Sequence, residues 1–218
     1  MTDICQNAKE IFIRIEESSR APATVVIASK YATSSQLNEL VSCGFNVFGE
    51  NRVQELMKKA QEVKGAKWHF IGHLQTNKVK YIIGTVDLIQ SVDSLRLATA
   101  LDKEAKKKGV VQQILIQVNV SGEKQKFGIL PKGLDLLAIE VIKLNNIRLR
   151  GLMAVMPLAS TEQVRPYYRE LKTVFDDLKG KFPKQDIDYL SAGMSNDWQV
   201  ALEEGSNMLR IGSVIFGG

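Results

Sequence analysis

What most restricts the fold of this chain is a rhythm of eight short apolar runs separated by amphipathic stretches. The runs are Thr24–Lys30, Val47–Glu50, Trp68–His73, Leu88–Val92, Gln113–Asn119, Leu149–Val155, Tyr189–Gly193 and Met208–Gly212. They are rich in Val, Ile and Leu without strict apolar–polar alternation, the pattern of parallel strands buried on both faces. The intervening stretches carry helix boundary signals. Ser34–Cys43 opens on serines and stops at Gly44, and Arg52–Lys64 ends at Gly65. Ser94–Lys108 ends at Gly109 with Lys106, Lys107 and Lys108 in its last turn, where cations oppose the helix dipole. Pro131–Leu144 has proline in its first turn, Ser160–Lys181 carries Leu171, Val174, Phe175 and Leu178, and Asn196–Glu204 ends at Gly205. A further amphipathic helix, Asp3–Ser18, precedes the first strand.

Eight strands separated by helices predict an α/β fold, a single (β/α)8 barrel with an extra N-terminal helix, and 218 residues lies at the lower end of its range. An open doubly wound sheet is the alternative, weakened in its dinucleotide-binding form because no GxGxxG follows the first strand. No linker, low-complexity segment or charge block divides the chain, so residues 1–218 read as one domain. With 44% hydrophobic and 24% charged residues the composition excludes a disordered or fibrous chain. A net charge of +5 is too small to announce a nucleic-acid binder. The basic stretch Lys103–Lys108, with Lys58 and Lys59, lies near helix C-termini and has no aromatic platform beside it, so no nucleic-acid partner is expected. No apolar run is long enough to cross a bilayer, and Glu10, Glu16 and Glu17 interrupt the N-terminal stretch, which argues against a signal peptide. Cys5 and Cys43 form neither metal-ligand spacing nor a disulfide framework, and His69 and His73 are the only histidines. That pattern points to the reducing cytoplasm and to no metal.

In such a barrel the chemistry gathers at the C-terminal strand ends. The polar residues there are Lys30, Glu50 with Asn51, His73 with Gln75 and Asn77, Asn119, Ser191, Ser195 and Arg210. Lys30 shares a side of its strand with Val26 and Ala28; position alone leaves it open between a solvated lysine and an amine that burial prepares for a carbonyl compound. Leu190–Asp197 runs through Gly193 into a helix that Ser195 is expected to cap, and Arg210–Ser213 closes the last strand with a glycine and a hydroxyl. Loops after strands seven and eight often hold phosphate in barrels. A rim lysine opposite two such loops fits a phosphate-bearing aldehyde, and pyridoxal 5′-phosphate has that chemistry. Arg210 would then partner the pyridine nitrogen and, being permanently charged, keep it unprotonated. His69 and His73, two strand-steps apart, have the spacing to share a face as a metal or acid–base pair, but the favoured reading is hydrogen-bonded structural histidines. Lys124 or Lys126 in the loop Gly122–Gly128 could accept the cofactor transiently, against a default of solvated charges.

The stretches Ala28–Lys30, Phe48–Glu55, His69–Lys78, Val118–Gly128, Gly151–Met153 and Leu190–Gly217 resemble, in order, the pyridoxal phosphate homeostasis protein family, relatives of the N-terminal barrel of alanine racemase. The resemblance implies that Lys30 forms the covalent aldimine with pyridoxal 5′-phosphate and that Asn51 sits near the ring hydroxyl. It further implies that Arg210 faces the ring nitrogen and that Met194, Ser195, Gly212 and Ser213 hold the phosphate. Tyr31, Ala192 and Asn207 depart from the residues usual in the family. The implied role is a monomer that carries or buffers pyridoxal 5′-phosphate in vitamin B6 and amino-acid homeostasis, passing it to apoenzymes, rather than an enzyme. The alternative is a small amino-acid racemase. A racemase needs acid–base groups on both substrate faces, and alanine racemase draws one from a second domain; the end of this chain at Gly218 leads us to expect no such domain here.

Overall fold

A strand buried on both faces must satisfy its backbone sideways, and a row of such strands does so without leaving an edge only by closing into a ring. The computed structural model, which describes residues 3–217, shows that ring. The strands are β1 (Thr24–Ala28), β2 (Val47–Glu50), β3 (Lys67–Phe70), β4 (Leu88–Val92), β5 (Gln112–Gln117), β6 (Ile147–Met153), β7 (Tyr189–Met194) and β8 (Met208–Ile211). All pair in parallel in chain order, and β8 returns to β1 through Val26↔Arg210 and Ile27↔Ile211. The helices are α1 (Ile4–Ser18), α2 (Ser34–Ser42), α3 (Val53–Glu62), α4 (Val79–Ile82), α5 (Leu95–Lys108), α6 (Pro131–Ile142), α7 (Thr161–Lys181), α8 (Trp198–Glu203) and α9 (Ser213–Phe216). The (β/α)8 barrel with its additional N-terminal helix is therefore the architecture of this chain, and the open-sheet alternative falls.

Differences from the sequence reading lie mostly at element ends. Lys30, His73, Asn119, Val155 and Gly212 extend the apolar runs in sequence, yet all lie past the last paired residue, in the exit loops that form the barrel mouth. Helices α4 and α9 have four residues each, too few for helical periodicity to register. Helix α2 is capped by a Thr33–Gln36 capping box rather than by its serines. Ser94 caps α5, and Gly109, the expected stop, ends that helix in the left-handed conformation.

The core has two parts. Most buried apolar side chains, Phe48, Phe70, Leu101 and Phe175 among them, fill the layer between strands and helices. A smaller cluster of Val26, Leu88, Leu115, Met153 and Met208 fills the barrel interior. Helix α1 packs against this frame, and Asn7 Nδ2 donates to Ile215 O of α9 at 3.0 Å.

The cysteines correct the sequence reading. Cys5 on α1 and Cys43 at the end of α2 are joined by a disulfide, with Cα atoms 6.2 Å apart. Separated by 38 positions in sequence, they meet because α1 lies across α2. Spacing alone could not reveal that crossing, and the pair no longer argues for a reducing compartment. Among the described residues no helix is long and apolar enough to cross a membrane.

Candidate functional site

The ends of β1, β7 and β8 and the chain beyond β6 surround a cavity of about 760 Å³, lined by Ala28, Lys30, Met194, Ser195, Arg210, Gly212 and Ser213. Six of the seven residues that the sequence singled out for the cofactor thus meet in one place. The seventh, Asn51, follows β2 and is not among the lining residues. Its backbone N–H is nevertheless held at 2.7 Å by Glu50 Oε1.

Lys30 is delivered by the pleat of β1, which turns Val26 into the barrel and carries Ala28 and Lys30 on the same side towards the mouth. The burial invoked for its amine is not found: Lys30 is exposed, and its Nζ rests 4.6 Å from the centre of the Tyr31 ring, itself 83% exposed. Beneath it lies a buried polar knot absent from the sequence reading. Lys59 Nζ donates to Glu50 Oε2 and to Ser29 O, each at 2.7 Å. Ser29 Oγ also donates to Glu50 Oε2 at 3.0 Å. Lys59, read from sequence as part of a basic surface, is a buried structural cation. It clamps the backbone immediately before Lys30 to the strand end before Asn51.

Arg210 is 5% exposed. Its guanidinium donates to Ser191 O at 2.9 Å, Ser191 Oγ at 2.7 Å and Ala154 O at 2.7 Å, all neutral acceptors. Burial draws its pKa down to about 10, with Tyr168 and Asp197 opposing, so it stays a cation at neutral pH. A buried cation held by neutral groups and bordering a cavity suits a ligand atom with a free lone pair.

The loops after β7 and β8 join across the cavity floor. Ser195 does not cap a helix; its Oγ accepts the Gly212 N–H at 3.2 Å. Asp197 is the N-cap residue of α8, and its carboxylate accepts Met194 N–H at 2.6 Å and the Tyr168 hydroxyl at 2.6 Å. Burial, then the Asp197 charge, pushes the Tyr168 phenol far above its ordinary value, so the hydroxyl keeps its proton. Gly193 has φ +104°, and a Cβ there would lie 2.6 Å from Ala201 Cβ. A Cβ on Gly212 would come within 3.1 Å of Ala28 Cβ and O, so glycine lets this turn sit against the strand that carries Lys30.

Other sequence candidates lie elsewhere. His69 is buried inside the barrel, whereas His73 sits outside, 3.8 Å between ring centres from Phe127. They form no pair, and no metal-binding cluster of three or more His, Cys, Asp or Glu exists among the described residues. Gln75 and Asn77 line a separate polar depression of about 310 Å³ with His73, Asp93 and Arg96. Lys126 pairs with Glu123 at 2.7 Å, and neither it nor Lys124 lines the Lys30 cavity. Of the departures from the family pattern, Ala192 is buried, and Asn207 bridges two elements by accepting Leu190 N–H and donating to Asp188 O. Asp197 and Gln36, which also line the cavity, and Tyr168, which donates to Asp197, were missed. Only Asp197 carried a signal, as a cap-type residue beside Ser195.

Comparison with known proteins bears on this site. The sequence profile of the alanine racemase N-terminal domain matches residues 12–218. A pyridoxal phosphate homeostasis protein of Aquifex aeolicus is 41% identical over 98% of this chain and 97% of its own. The protein of that name in Escherichia coli K12 is 38% identical over 100% of this chain and 97% of its own. Among solved structures, PipY of Synechococcus elongatus PCC7942 with PLP bound superimposes with a TM-score of 0.89, at 29% identity over 99% of this chain and 100% of that one. Alanine racemase of Clostridium difficile 630 shares the fold, with a TM-score of 0.78 at 17% identity, over 97% of this chain and 56% of that one.

Proposed function

This chain belongs to the pyridoxal phosphate homeostasis proteins, a family built on the alanine racemase N-terminal domain, and from that premise we propose that it binds pyridoxal 5′-phosphate and buffers or carries it. One observation carries the reading: the Lys30 amine and the buried Arg210 guanidinium border the same cavity, with Ser195, Gly212 and Ser213 at its floor. PLP is present in the related PipY structure, which supports the same ligand here.

In this reading Lys30 holds the cofactor covalently as a Schiff base, the amine displacing the aldehyde oxygen as water. Arg210 donates to the ring nitrogen, and Asn51 approaches the ring hydroxyl. The Ser195 and Ser213 hydroxyls take the phosphate, and the backbone N–H groups of Met194 and Gly212 turn to it from their present acceptors, Asp197 Oδ1 and Ser195 Oγ. When bound, the cofactor supplies an electron sink, and a permanent cation at the ring nitrogen keeps that sink weak by denying the nitrogen a proton. This favours custody of the cofactor over catalysis, in a monomer that gives it up to apoenzymes and so contributes to vitamin B6 and amino-acid homeostasis.

The test is to titrate the protein with pyridoxal 5′-phosphate and follow its absorption, then incubate the loaded protein with L-alanine and other amino acids. The reading expects a saturable spectral change and no D/L interconversion. Robust turnover would replace the carrier by the racemase, and absence of a spectral change would remove the cofactor.

A further inference from the structure

Arg210 is the last member of a buried row of polar side chains that crosses the barrel interior from β8 to β3. Ser191 on β7, Gln90 on β4 and His69 on β3 complete it, and all three are buried. Arginine only donates, so the Ser191 oxygen, 2.7 Å from its guanidinium, must accept. The single Ser191 proton is then directed to Gln90 Oε1 at 2.6 Å. That contact turns the Gln90 amide so that Nε2 lies 2.9 Å from His69 Nδ1 and 3.3 Å from Met208 Sδ. His69 must therefore accept at Nδ1, and when neutral it carries its proton on Nε2. Each bond fixes the direction of the next, and reversing one member sets a donor against a donor or an acceptor against an acceptor. A barrel interior has no general need of such a row, since Val26, Leu88, Leu115 and Met153 fill neighbouring positions with hydrocarbon.

We propose that Ser191, Gln90 and His69 are positioning residues that hold the Arg210 guanidinium in one orientation towards the cavity. The inference rests on the cofactor reading for its consequence: the row fixes the direction of the bond from Arg210 to the ring nitrogen. It does not rest on that reading for the geometry. Ser191 also holds Arg210 through its main-chain oxygen at 2.9 Å, and Ala154 O holds the other terminal nitrogen at 2.7 Å. Losing the hydroxyl therefore loosens the guanidinium without releasing it.

Two readouts test the proposal on Ser191→Ala and Gln90→Met, both of which keep side-chain volume close to the original. The first is NMR of the Arg210 side-chain N–H groups in protein without added pyridoxal 5′-phosphate. Wild type should give separate, slowly exchanging terminal N–H signals, and both variants should merge or broaden them. The second is titration with pyridoxal 5′-phosphate, where both variants should shift the bound absorption band in the same direction and weaken binding by up to about tenfold, because the bond from Arg210 is misaligned and not removed. A purely structural row would lower the melting temperature and leave the Arg210 signals and the band in place, and that result overturns the proposal. If one variant does not fold, the other carries the test. If wild type shows no band while the variants change the Arg210 signals, the cofactor reading has failed and the positioning role stands.

Discussion

Replacing Lys59 by methionine removes one charge from a buried pair and leaves its partner behind. The Lys59 and Glu50 side chains are 5% and 1% exposed, and their ions meet at 2.7 Å. Deleting one partner of such a pair typically costs about 3–5 kcal/mol, because the remaining charge stays in a poorly polarisable place. Here the remaining Glu50 carboxylate keeps Ser29 Oγ at 3.0 Å, Asn51 N–H at 2.7 Å and Arg52 N–H at 3.3 Å. Those donors put the cost at the lower end, about 3 kcal/mol. For a chain of 218 residues that lowers the melting temperature by about 6–12 °C. Urea and thermal denaturation of Lys59→Met beside wild type measure it, and Lys59→Met combined with Glu50→Gln should recover part of the loss because the orphaned charge is gone. The single variant should also bind pyridoxal 5′-phosphate several-fold more weakly, since Lys59 anchors the carbonyl just before Lys30. If Lys59→Met stays within about 1 kcal/mol of wild type, the pair is not clamping this corner of the barrel and the reasoning fails.

Burial holds the His69 imidazole down at about 4, below the ordinary 6.5. The unfolded chain therefore takes up this proton first, so the His69 contribution is complete above about pH 6.5 and falls away towards pH 4, a loss of about 3 kcal/mol. The stability–pH profile of His69→Gln should lack that slope, and parallel profiles would refute it. The Cys5–Cys43 bond closes a loop across a separation of 38 residues, and reducing it should cost about 2–4 kcal/mol in denaturation. Cys43→Ser should be insensitive to reductant, and titration of two free thiols in the folded, unreduced protein would contradict the bond.

How much of this was legible in sequence follows from the range of each interaction. The barrel showed because burial of a strand on both faces leaves a local mark: Thr-Val-Val-Ile-Ala at β1 and Gln-Ile-Leu-Ile-Gln within β5 read as strands without their neighbours. Lys30, Arg210, Ser195 and Gly212 were found because strand ends in a barrel converge by topology. The roles of Lys59 and Ser191 were hidden, since each depends on a partner from another strand–helix unit: Lys59 meets Ser29 across 30 positions, and Ser191 meets Gln90 across 101. The disulfide was hidden for the same reason, as it depends on how α1 crosses α2. Ser195 misled because its hydroxyl suits a helix cap equally well, and only the bond from Gly212 N–H shows where it is used.

Lys30 is the proposed point at which pyridoxal 5′-phosphate is held. Loading the protein, reducing with borohydride and mapping the modified peptide by mass spectrometry tests this directly. A single stable adduct on Lys30 is expected, and a folded Lys30→Ala variant should give none. An adduct on Lys124, Lys126 or any other lysine in place of Lys30, or an undiminished adduct in the variant, would contradict it.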